Sequence, residues 1–227
     1  MDFVEAKVSA APAKLPNVSI DVPGYNQFIP SSLVAATKVR FKVGNWNMMP
    51  EGSYVQFVLD DKPFRPVKDP SEALMLQDLA GGELSEGEHI IAAFVNRANH
   101  ESIKGERAVA VRRFWTGKRT QGGWDSNRDP IMILGSPHGT INGSDVLVDW
   151  YVLNALISDK EFSVRIKLDG PGVKPGGIQR VITEWKPWVM LSAHEGEYTI
   201  TTELLDGNGE VAPGALNNLT RKFTVKP

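Results

Sequence analysis

The side chains best suited to acid–base or metal chemistry are the four histidines, His89, His100, His138 and His194. No two stand at helical or strand ligand spacing. A hairpin that paired His89 with His100 is the one route to a shared site, and surface or loop histidine is the default reading. The chain has no cysteine, which excludes disulfides, thiol nucleophiles, iron–sulfur clusters and thiolate zinc sites. It has no G-x-S-x-G, H-E-x-x-H or Walker-type loop either. The glycines of residues 169–177 suit a phosphate, but they lie between two strands with no helix N-terminus to hold an anion. A long hairpin loop is the expectation there. Asp206-Gly-Asn-Gly-Glu210 has the oxygen spacing that opens a calcium loop but lacks the closing bidentate glutamate, so a tight turn is expected. Asp60 and Asp169 are candidate catalytic carboxylates, yet they recur at equivalent places in two halves of the chain, which favours a shared turn or cap. No catalytic residue, metal ligand or cofactor is assigned, and the expectation is a protein that is not an enzyme.

Two features point to binding instead. Between Lys104 and Arg128 lie seven basic residues, Lys104, Arg107, Arg112, Arg113, Lys118, Arg119 and Arg128, opposed only by Glu106 and Asp125. Against a whole-chain charge of −2, this net +5 leaves −7 on the remainder. Such a segment is either a solvated face or a dock for an acidic protein surface or anionic lipid headgroups. The second feature is the apolar loop Gly44-Asn-Trp-Asn-Met-Met-Pro50, where Trp46, Met48 and Met49 either tuck inward as a plug of the sandwich or anchor a partner or a membrane interface. Trp124 is a third candidate anchor. Trp150, Trp185 and Trp188 sit in strand patterns and read as core. The candidate partner-binding set is therefore Trp46, Met48, Met49, Arg112, Arg113, Lys118, Arg119, Trp124 and Arg128.

An internal repeat sets the scaffold for these residues. Offset by 109, residues 39–118 align without a gap on 148–227, with 16 identities in 80 positions; chance would give about 5. Val39, Val43 and Asn45 meet Val148, Val152 and Asn154; Glu86-Gly-Glu88 meets Glu195-Gly-Glu197; Arg112 and Phe114 meet Arg221 and Phe223. Residues 16–23 echo 130–137 about five residues out of that register. Within each copy apolar residues alternate with a period of two, as in Val39, Phe41, Val43 and in Val55, Phe57, Leu59. Turn signals separate the short runs. The pattern predicts an all-β protein of two tandem immunoglobulin/fibronectin-like β-sandwich domains. Asp69-Pro-Ser-Glu72 also offers a helix start, with a single helical turn at 70–76 as the alternative to a strand, and 178–188 reads as strand.

At 227 residues, two ordinary domains fit the length, and near-neutral charge argues against a nucleic-acid partner. The expected division is an extended N-terminal arm at 1–17, a first domain at 18–117, a basic linker at 118–129 and a second domain at 130–227. The arm is expected to add a strand to a partner's sheet. The N-terminus has no secretory pattern, and no apolar run approaches the roughly 20 residues of a membrane span. A soluble or peripheral cytoplasmic protein is expected, or a periplasmic one if a signal has been removed.

The segments 146–158 and 164–170, WKPWVM at 185–190, residues 196–225 and ANHESIKG at 98–105 resemble an uncharacterised bacterial family of two-domain Ig-like proteins. These are often exported or lipoproteins and are sometimes loosely labelled phosphopeptide-binding. The resemblance covers roughly residues 36–227. It implies a His-x-His pair on the strand that here carries Tyr54 and Gln56, so a metal or anion site built on that pair is expected to be lost in this chain, although His100 remains. Taken together, the sequence predicts a non-enzymatic binding or scaffold subunit, working with other protein subunits of a bacterial, membrane-associated assembly. The alternative is an extracytoplasmic ligand- or metal-binding module.

Overall fold

A computed structural model describes residues 1–48, 52–120, 123–125 and 127–226. The chain forms two compact units. Domain 1 is Ala10–Asn127, and domain 2 is Arg128–Pro227 together with Met1–Ser9. In chain order the strands and helices are β1 Asp2–Glu5, β2 Asn17–Val22, β3 Gln27–Ile29, α1 Ser31–Val34, β4 Arg40–Gly44, β5 Tyr54–Leu59, β6 Arg65–Val67, α2 Leu76–Ala80, β7 Gly87–Asn96 and β8 Val109–Thr116. They continue with β9 Ile131–Ser136, β10 Gly139–Asn142, β11 Val146–Leu153, β12 Ser163–Asp169, β13 Ile178–Ile182, β14 Trp188–Leu191, β15 Gly196–Leu205 and β16 Asn218–Lys226.

Domain 1 sets the pair β2-β4 against a five-stranded sheet ordered β3-β8-β7-β5-β6. Domain 2 sets a four-stranded sheet, β1-β14-β11-β9, against β10-β16-β15-β12-β13. These are tandem immunoglobulin/fibronectin-like sandwiches, with the first strand of each crossing between sheets and pairing parallel to the last. Each encloses its own core. Val55, Phe57, Leu59, Ile91 and Phe114 fill domain 1. Trp150, Ile166, Tyr198, Ile200 and Phe223 fill domain 2.

The repeat extends to the ladders. Gly87 pairs with Thr116 and Tyr54 with Asn96; 109 residues on, Gly196 pairs with Val225 and Ser163 with Leu205. The out-of-register echo is also a ladder. Val18↔Val43 and Ile20↔Phe41 precede a bulge in domain 1, just as Met132↔Val152 and Leu134↔Trp150 flank one in domain 2.

Three segments differ from expectation. Residues 70–75 form neither a strand nor a helical turn, because the Asp69 carboxylate accepts the Ser71 N–H at 2.8 Å and its hydroxyl at 2.7 Å, closing a local turn. The short α2 begins later and ends at Gly81, in the left-handed region at φ 68°. Residues 178–188 are not one strand: β13 completes one sheet, the chain crosses near Pro187, and β14 starts the other. The N-terminal segment adds its strand to this chain's own domain 2. β1 runs antiparallel to β14 from Asp2↔Leu191 to Glu5↔Trp188, and Phe3 is buried in the core.

The outward face of the five-stranded sheet differs between copies. Domain 1 carries Tyr54, Val58, Ile90, Ala92, Phe94, Val109, Val111 and Trp115 there, all buried. At the same register domain 2 carries Ser163, Lys167, Thr199, Thr201, Glu203, Asn218, Thr220 and Thr224. The fold tolerates a polar face at these positions, so the apolar one is a property of domain 1 alone.

Candidate functional site

Neither domain gathers a catalytic set among the described residues, and no group of three histidine, aspartate or glutamate side chains there could hold a metal ion. The arrangement closest to catalytic geometry runs Asp60–His89–Thr116. His89 is buried, not the loop residue expected from sequence. Its Nδ1 lies 2.8 Å from Asp60 Oδ2, and its Nε2 lies 2.9 Å from the Ser85 carbonyl and 3.1 Å from Thr116 Oγ1. A carbonyl and a carboxylate only accept, so both ring nitrogens carry hydrogen. Thr116 Oγ1 gives its own proton to the Ser85 carbonyl. The imidazolium has no lone pair for Thr116 and cannot serve as its base.

The repeat explains this cluster. Tyr198 stands 109 residues after His89, and His194 stands 109 after Ser85. The single Tyr198 O–H lies 2.7 Å from the Pro171 carbonyl and 3.0 Å from that of His194. Both side chains tie the start of a central strand to the carbonyl four residues upstream. This is the corner tie of sandwich domains, made by tyrosine in one copy and by imidazolium in the other.

Burial of the His89 ring works against its charge, but the Asp60 carboxylate, the Ser85 carbonyl and Glu88 outweigh it, and its pKa rises above the usual 6.5. The stabilisation is then complete below the unfolded value of 6.5 and is lost as pH climbs through the raised folded value. In thermal scans of the full chain, the gap in Tm between wild type and His89→Gln should be widest near about pH 6 and should narrow toward about pH 9. A gap that widens with pH would contradict the clamp.

The structure disperses the candidate binding residues. Trp46 and Met48 are half-buried against the domain 1 core, with the Arg97 guanidinium 5.9 Å over the indole. Both pack against that core as a plug. Met49 lies outside the described residues. Trp124 is only 6% exposed and offers no anchor. Arg112 and Arg113 point to opposite faces of β8, as alternation requires, so the basic run is not one surface. Arg113 is buried, donating to Asn26 Oδ1 at 2.9 Å. Arg128 donates to Asp129 at 3.0 Å.

Lys118 and Arg119 do reach solvent, and beside them lies a feature that the sequence reading missed. Tyr25 and Phe28 are 42% exposed and Leu33 is 53% exposed. Phe28 is the register partner of Trp115 on the short edge strand β3. The Trp115 ring makes cation–π contacts with two guanidinium groups, Arg113 at 4.8 Å and Arg119 at 4.7 Å. Arg119 also donates to the Asn26 carbonyl at 2.6 Å, and Tyr25 donates to Asp125 at 2.8 Å. Among the described residues no carboxylate pairs with Lys118 or Arg119. The result is a fixed cation flanked by exposed aromatic rings. Two aromatics in a short edge strand and the turn before it, Tyr25-Asn-Gln-Phe28, were the available signal.

The residues singled out by the family resemblance also meet. Tyr54 Oη is 2.7 Å from His100 Nδ1, and Asn96 Nδ2 donates to Gln56 Oε1 at 3.1 Å and to the His100 carbonyl at 2.8 Å. Burial, with Lys68 nearby, holds the His100 pKa below the usual value.

No sequence family matches the chain, and neither does any curated protein. Solved structures resemble it weakly. The fibronectin(III)-like modules of Clostridium thermocellum CbhA are 16% identical, covering 92% of this chain and 94% of that one, with a TM-score of 0.31. The FN1-FN3 domains of chicken CNTN1 are 11% identical, covering 93% and 66%, with a TM-score of 0.30. The D00-D0 domain of Intimin is 9% identical, covering 92% and 100%, with a TM-score of 0.27. The fold assignment itself stands on strand order and register. No helix among the described residues is long and apolar enough to cross a membrane.

Proposed function

We propose that the chain is a non-enzymatic binding subunit that docks an acidic protein surface on the β3 edge of domain 1. One observation carries this: the exposed Tyr25 and Phe28 beside Arg119, whose guanidinium is held by Trp115 and the Asn26 carbonyl before any partner arrives. Aromatic rings with arginine are the composition of interface hot spots, and a pre-positioned side chain loses little freedom on binding. Unpaired Lys118 and Arg119 select for carboxylates. The Lys118 and Arg119 part of the expected basic dock is retained in this reading, while Trp46, Met48, Trp124 and Arg113 act as structural residues. The place in a larger, membrane-associated assembly expected from the sequence is kept as part of this proposal.

The test is gentle co-purification of wild type, Phe28→Ala and Arg119→Glu from the native source. An acidic protein should be retained stoichiometrically by wild type and weakened roughly 30-fold by either variant, for about 2 kcal/mol per hot-spot side chain. Both variants should remain folded, Arg119→Glu giving up only its contacts with Trp115 and the Asn26 carbonyl. Equal retention by all three would overturn the proposal. Selective loss of binding to anionic vesicles, with no protein retained, would replace the protein partner by a lipid one.

A further inference from the structure

A pocket of about 370 Å³, open to solvent, lies in domain 1, its lining residues Ser31, Ala35, Gln77, Glu83 and Glu86 exposed and Val34 and Thr116 buried. Ser31, Val34 and Ala35 line it from α1 and its end, Gln77 from α2, and Glu83, Leu84 and Glu86 from the turn before β7, with Thr116 behind. The shared sandwich does not require it. Domain 1 uses residues 30–39 to join β3 to β4, whereas domain 2 joins β10 to β11 with residues 143–145. The longer connection contains α1, and α2 likewise has no counterpart in domain 2. The elements that distinguish domain 1 from its repeat are therefore the ones that form the cavity.

The lining has a defined chemistry. Val34, Ala35 and Leu84 give an apolar wall. Glu83 and Glu86 bring two carboxylates, and the Ser31 hydroxyl donates to Glu86 Oε1 at 2.7 Å, fixing that carboxylate. Gly117, at φ 61°, lets the chain pass close behind, since a Cβ there would sit 2.3 Å from Ser31 Oγ. No lysine, arginine or histidine lines the space. The nearest buried cation, His89, stands behind Thr116 with its charge matched by Asp60. Two carboxylates reject anions, and the apolar wall rejects a bare hydrated cation. The volume is at the small end of ligand sites.

We propose that this cavity binds an alkylammonium group, the methylenes lying on Val34, Ala35 and Leu84 and the ammonium donating to Glu83 and Glu86. The group could belong to a free amine or to a lysine side chain of another protein. The test is an NMR chemical-shift titration of the full chain with n-butylamine, using n-butanol as the neutral control. Saturable shifts confined to residues 31–35, 77 and 83–86 are expected, at about 1–10 mM for so small a probe. Glu83→Gln and Glu86→Gln should each weaken binding at least about fivefold, and Ala35→Trp, which fills the cavity, should abolish it. Equal shifts with butanol, unchanged affinity in the glutamine variants, or no saturation would each overturn the proposal. Cadaverine and an end-blocked lysine peptide separate the sources: tighter diamine binding marks a small ligand, and tighter peptide binding marks a protein side chain.

Discussion

Phe94→Glu is expected to unfold domain 1, at a cost of more than about 4 kcal/mol. Domain 2 is the internal control. Phe94 is 1% exposed on the outward face of β7. The residue 109 positions later is Glu203, in the same ladder register. There the carboxylate is bonded by Arg165 and lies 3.2 Å from Lys167 Nζ, and these cations hold its pKa below the usual range against its burial. The residues of domain 1 equivalent to Arg165 and Lys167 are Gln56 and Val58. A glutamate at 94 would be buried without the counterparts of Arg165 and Lys167, while the packing of the phenyl ring is lost as well. Adding Val58→Lys in the Phe94→Glu background supplies one of the two missing cations and should recover part of the loss, about 1–2 kcal/mol. Urea unfolding followed by circular dichroism measures both steps. A Phe94→Glu chain within about 1 kcal/mol of wild type would show that this face is open to water.

The same contrast shows what the sequence carried. Ile90-Ile-Ala-Ala-Phe-Val95 is a continuous apolar run, whereas Thr199-Ile-Thr-Thr-Glu-Leu204 keeps polar residues on one face. A strand apolar on both faces is written into that difference, and reading each copy only for its period of two passes over it. The repeat, the sandwich class and the inward residues were legible because a strand buries alternate side chains and two copies repeat the pattern. The corner ties were legible only as a pair. His89 alone looks like a loop histidine, and its role appears when Tyr198 occupies the same place with the same upstream carbonyl. The burial of Trp124 was not legible because its segment has no strand pattern, and burial of an indole depends on distant chain. Residue 76 as a helix start was hidden by Asp69, whose side chain serves a turn five residues earlier. The bridge between Lys38 and Met75 remains in domain 1 where domain 2 has the β11–β14 pairing, so the second sheet of domain 1 is shortened at that edge by the turn and α2.

Least legible was β1, since four residues, Asp-Phe-Val-Glu, carry too little pattern to name a partner strand more than 180 positions away. Its removal gives the second large effect. Phe3 is 4% exposed, and its ring centroid lies 5.1 Å from that of Trp188. Glu5 pairs with Lys186 at 3.0 Å, and the Ala6 N–H donates to the Pro187 carbonyl at 3.0 Å. Phe3→Ala should cost domain 2 about 3 kcal/mol or more, because burial of this ring holds the strand in place and the salt bridge is too exposed to contribute much. Deleting residues 1–9 should cost at least as much and leave the β14 edge unpaired, so the shortened chain should also self-associate at high concentration. A synthetic peptide of residues 1–9 added to the shortened chain should restore the melting transition of domain 2 and suppress association, whereas the same peptide carrying Phe3→Ala should do neither. If deletion leaves that transition unchanged, β1 is a passenger on the sheet edge. If only the native peptide rescues, the edge of β14 is a selective acceptor for an extended segment with an aromatic residue at its second position.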